Sequence, residues 1–148
     1  MTDISKEGLY SSSQISYLIL SLIPPLLGTK EYIQNLLFVS HCEFIKLLNL
    51  PLINTSFYAF PFGPAEIEMF KKWRGIKGLI TDRKEISVSS IHQSFVKEIL
   101  EKWESFSPSQ LNQMLRDSSC PYGRPWSMCY REGWAEIIPD DLIMTEVK

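Results

Sequence analysis

The longest apolar run in the chain, ISYLILSLIPPLLG from Ile15 to Gly28, meets two consecutive prolines at Pro24-Pro25. Proline has no backbone N–H for the helix ladder and its ring clashes with the preceding turn, so a helix through Ile15 must end at that pair. The run is also shorter than the ~20 apolar residues a membrane-spanning helix needs. The chain is therefore expected to fold in water, beginning with a largely buried helix that stops at a proline corner.

The pattern around that helix extends the reading. Ser11 to Ser13 offer N-caps, and Ile15, Leu18, Ile19, Leu22 and Ile23 recur at helical spacing. Gly28-Thr29 then ends one element and caps the next, a helix over Lys30 to Leu48 with Ile33, Leu36, Leu37, Ser40, Phe44, Leu47 and Leu48 on one face. Of the 148 residues 45% are hydrophobic, with a formal charge of -2, which suits one compact soluble domain. Residues 1–11 read as a flexible N-terminus and 12–148 as a single helical domain.

Further on, FYAFPF from Phe57 to Phe62 reads as an extended segment with Tyr58, Phe60 and Phe62 on one side and Phe57, Ala59 and Pro61 on the other. Pro61 restricts that strand to a short length or an edge. Gly63-Pro64 predicts a reversal with Pro64 at the first helical position, acidic Glu66 and Glu68 near the positive helix end, and Ile67, Phe70 and Trp73 inward. Leu79–Thr81 and Glu85–Val88 flank a charged turn and predict a hairpin. Ser89 or Ser90 caps a helix out to about Ser105, and Ser107 to Gln110 spell a capping box with Pro108 at the first helical position. A helical stretch over Ser127 to Arg131 and a last helix starting at Pro139 complete an α+β, mainly helical fold with a short edge strand and a small antiparallel hairpin.

Little in the chain marks catalysis. His41 and Cys42 are adjacent, so on a helix they point about 100° apart and do not pair. His92 sits near a helix start, as a surface or capping residue. No Gly-rich phosphate loop, nucleophile elbow or HExxH occurs, and Cys42, Cys120 and Cys129 lack the spacing of a zinc site or disulfide framework. The expectation is a non-enzyme with no catalytic residues, cofactor or metal, and with reduced thiols in the cytoplasm. Lys71, Lys72, Arg74, Lys77, Arg83 and Lys84 form the one basic concentration, an alternative nucleic-acid face of winged-helix type. Glu132, Glu136, Asp140, Asp141 and Glu146 make the tail acidic, and RPWSMCYREGW carries the Trp and Arg types favoured at interface hot spots.

Three blocks together resemble the Panacea antitoxin domain, also described as SocA-like and phage-associated. They are YIQNLLFVSHCEFIKLL (Tyr32 to Leu48), FYAFPFGPAEIEMF (Phe57 to Phe70) and the closing stretch from Leu111 to Ile143 with its Pro125-Trp126 pair. The family's closing His has no counterpart, with Ser119 or Cys120 in its neighbourhood. The resemblance implies a non-enzymatic protein of a toxin–antitoxin pair on a phage or other mobile element, which binds and neutralises a cognate toxin or delivers it to a protease. It places partner contacts at Phe62, Gly63, Pro64, Trp73, Pro125 and Trp126; a chaperone is a further expected partner and a membrane is not. The alternative is a nucleic-acid-binding regulator of a virus or mobile element.

Overall fold

The computed structural model describes residues 8–73 and 87–148. Among them are helices α1 (Ser12–Leu22), α2 (Lys30–Leu48), α3 (Ile67–Lys72), α4 (Ser90–Trp103), α5 (Pro108–Met114), α6 (Arg124–Cys129) and α7 (Asp140–Val147). Strands β1 (Phe57–Phe60), β2 (Gly63–Glu66) and β3 (Glu136–Ile138) form one antiparallel sheet in the order β2-β1-β3. The fold is α+β and mainly helical, and no described helix is long and apolar enough to cross a membrane.

Local chemistry sets most helix starts. Ser11 caps α1 in a capping box with Gln14, Thr29 caps α2, Ser89 caps α4, and Ser107 with Gln110 closes the box that starts α5. The proline corner after α1 contains a 3-10 turn at Pro25–Leu27, and α2 ends where Asn49 takes the left-handed conformation. Tyr10, within the stretch expected to be flexible, pairs with Ile53 through Tyr10 N–H to Leu52 O (3.0 Å) and Asn54 N–H to Tyr10 O (2.9 Å).

Helix α2 is the axis of the molecule. A single apolar face was expected, but every residue from Tyr32 to Ile45 is buried, because α1, α4, α5, α7 and β2 surround it. Burial of its polar residues is tolerable because the larger ones find partners. Gln34 binds the Glu66 backbone, His41 binds the Ile53 N–H and Asp140, and Glu43 binds Tyr122 and Lys102.

The Gly-Pro segment departs from its expected form. Pro64 does not start a helix: it lies in β2, opposite Ala59, and α3 begins at Ile67 with Glu66 as its cap. The Glu66 N–H points away from β1, to Gln34 Oε1 at 2.9 Å, so by the alternation of an antiparallel pair Pro64 also turns its N-side outward. An outer edge is where a residue without an N–H costs no ladder bond. Strand β1 stops before Pro61 as expected, yet it is the central strand, since Glu136–Ile138 adds an unexpected third. In α3 the buried side chain is Met69, with Ile67, Phe70 and Trp73 half-buried. Helix α6 spans Arg124–Cys129 rather than 127–131, because Pro125 fits its first turn. The expected hairpin lies almost wholly outside the described residues.

Candidate functional site

Alternation along β1 sends Phe57 and Ala59 into the core and leaves Tyr58 and Phe60 half-buried on the outer face. Across the ladder Tyr58 pairs with Ile137 of β3, which is 45% exposed, and the turn after β1 adds Phe62 at 46%. Phe60 and Phe62 stack with centroids 5.2 Å apart and planes 6° apart. Phe70 stands edge-on to both, at 6.2 and 5.8 Å, and the Lys30 ammonium sits 4.9 Å above its ring. This aromatic face is a rigid apolar surface, since stacked and edge-on rings leave few rotamers open.

Three separate parts of the chain hold the β1–β2 hairpin in place, two of them at its turn. Trp126 Nε1–H donates to Phe60 O at 2.7 Å, and its ring stacks on Tyr130 at 4.7 Å. The Asn112 amide donates to Phe62 O at 2.8 Å and approaches Asn35 Oδ1 at 3.4 Å. Gln34 closes the far end of β2, accepting from Glu66 N–H and donating to Glu66 O at 2.8 Å. Glu66 is itself buried, its carboxylate accepting from Thr55 Oγ1 and from the Glu68 and Met69 N–H groups, so the first turn of α3 is tied to the end of the sheet. A cleft of about 260 Å³ beside the turn is lined by Gln34, Asn35, Phe62, Pro64, Pro108 and Asn112 among others.

Of the expected contact residues, Phe62, Gly63, Pro64 and Trp126 meet at this turn, while Pro125 is buried in the first turn of α6 as a helix-starting residue. Gly63 and Pro64 are buried as well, so they shape the surface more than they offer it. Trp73 ends α3 half-buried against the core, and no ring contact joins it to the cluster among the described residues. Sequence reasoning missed Ile137, Tyr130, Asn112 and Gln34. For Ile137 a signal was present in the β-branched pair Ile137-Ile138 just before Pro139; a polar side chain reaching a backbone 32 residues away, as Gln34 does, leaves no local mark.

The alternative basic face is only partly described. Lys71 pairs with Glu68 at 3.3 Å and Lys72 reaches Ser13 Oγ at 3.2 Å; Arg74, Lys77, Arg83 and Lys84 lie outside the described residues. His41 does meet a carboxylate, Asp140 Oδ1 at 2.9 Å from Nε2, but the pair is sealed in the core. The Ile53 N–H occupies Nδ1 at 3.1 Å, which places the ring proton on Nε2. Burial, with Glu43 and Asp140 nearby, pushes the Cys42 thiol well above its ordinary range, against thiolate chemistry. His92 lies with Tyr10 OH (2.6 Å) and Ser89 Oγ (2.9 Å) around Nδ1, where Ser89 also caps α4. No group of three His, Cys, Asp or Glu side chains among the described residues is arranged to hold a metal ion, and none of the three cysteines is in a disulfide. No family model, curated protein or solved structure matches the chain.

Proposed function

We propose that this chain is a protein-binding module of the antitoxin kind, which holds a cognate toxin on the aromatic face of its sheet and neutralises it there or presents it to a protease. The observation that carries the reading is convergence: the three blocks that carry the resemblance to Panacea domains meet on the β1–β2 hairpin, Gln34 of α2 binding its Glu66 end and Asn112 and Trp126 of the closing block binding its turn. A stiff aromatic surface rimmed by hydrogen-bonded turns has the makings of a hot spot, because its groups are ordered before binding. The reading involves no cofactor, metal or membrane.

Co-expression with the product of the adjacent gene tests it. The expected outcome is a stoichiometric complex and relief of toxicity. Phe62→Glu combined with Ile137→Glu should weaken that complex by at least ~10-fold, about 1.4 kcal/mol, while leaving the fold intact. A neighbour that is harmless and does not bind would sink the proposal.

A further inference from the structure

A cavity of about 540 Å³ opens between the end of α1, the 3-10 turn and the second half of α4, and none of the aromatic-face residues lines it. Ile23, Leu27, Leu36 and Leu100 supply apolar walls, joined by Tyr32, only 5% exposed. The Tyr32 hydroxyl makes no hydrogen bond among the described residues, and burial, followed by the charge of Glu104, pushes its pKa above the ordinary tyrosine value and keeps it protonated. Three exposed charges, Lys97, Glu101 and Glu104, stand around the opening, and none of them is in an ion pair among the described residues. Between Pro24 and Leu27, which both line the cavity, Leu26 projects from the 3-10 turn at 95% exposure. Its base is stiff, since Pro24 and Pro25 precede it and Leu27 N–H and Gly28 N–H bond back to Pro24 O and Pro25 O at 3.0 and 3.1 Å.

We infer that this cavity receives Leu26 of a second copy of the chain, forming a twofold dimer. In such an interface the same patch serves both subunits, so a projecting side chain next to a socket can fill its partner's socket while its own is filled in return. The rim charges choose between occupants. A cationic amphiphile would face Lys97, an anionic one would face Glu101 and Glu104, and a neutral apolar molecule would leave Leu26 in water. A second copy brings both signs, so that Lys97 of each subunit meets the glutamates of the other. The inference is independent of the aromatic face.

Sedimentation velocity from low micromolar to millimolar concentration provides the test, with circular dichroism confirming that each variant folds. All four altered positions are exposed, so folding should be retained. The wild-type chain should reach twice the monomer mass and Leu26→Asp should stay monomeric. Lys97→Glu alone and Glu101→Lys/Glu104→Lys alone should each lose association, and an equimolar mixture of the two should regain a dimer of one subunit of each. A wild-type monomer throughout the range, a dimer indifferent to Leu26→Asp, or a mixture that fails to pair would each overturn the inference.

Discussion

Gly63 carries two demands at once. Its φ of 125° lies where a side chain is strained, and a Cβ built there would stand 3.1 Å from Asn112 Nδ2, the group that secures Phe62 O. Gly63→Ala should therefore cost about 1–3 kcal/mol in urea unfolding, with the added effect of loosening the Asn112 bond. An unchanged midpoint would show that the turn relaxes freely. The need for a turn at Gly63 was legible from Gly-Pro, but the consequence drawn for Pro64 was not. Proline fixes φ near a value that helix starts and extended edges both accept, so only the Glu66 N–H turning to Gln34 settles which applies. The cap on α3 is Glu66, whose carboxylate binds the Glu68 and Met69 N–H groups at 2.9 Å each. Local spacing could suggest an acidic first turn and nothing finer.

Among the elements, α1, α2, α4 and α5 were readable because cap and periodicity agree at each start, whereas β3 was hidden by its length of three residues. Periodicity also misstated α2, whose polar residues belong to the buried side through partners distant in sequence. Some of these partners are missing. Ser40 is fully buried in the middle of α2, and its hydroxyl has no hydrogen-bond partner among the described residues; Ser12 and Ser16 on the facing helix α1 share that condition. A buried hydroxyl left unbonded costs about 1–3 kcal/mol, and alanine matches serine closely in size while favouring the helix. Ser40→Ala should accordingly stabilise the protein, raising the unfolding free energy by about 1 kcal/mol. A loss of stability would mean that the hydroxyl is bonded within the native ensemble.

At the scale of the molecule, α2 links distant segments through buried polar contacts. His41 joins the Ile53 loop, itself paired with Tyr10, to Asp140 at the start of α7. Glu43 joins the Tyr122 hydroxyl, which donates to it, to Lys102 of α4 at 2.9 Å. These links make stability depend on alkaline pH. Burial, then the bond to Glu43 and its charge, push the Tyr122 hydroxyl above its usual range; Cys42 and Tyr32 shift upward for burial first and nearby carboxylates second. Unfolded, such groups ionise near ~8.5 for cysteine and ~10 for tyrosine. Between those values and the raised native ones, the folded chain keeps protons that the unfolded chain has released. Stability is then complete below the unfolded values and falls as pH rises, by about 1.4 kcal/mol per pH unit for each such group. Urea midpoints should thus decline above about pH 8.5 and more steeply above about pH 10. Tyr122→Phe removes one of these protons, so although it weakens the protein at neutral pH by leaving Glu43 short of a donor, its decline above about pH 10 should be shallower than that of the wild type. Other surface groups titrate alike in both proteins and cancel in the comparison. Parallel declines would mean that Tyr122 ionises in the folded protein as readily as in the unfolded chain, and the buried Glu43 contact would then have no part in the alkaline transition.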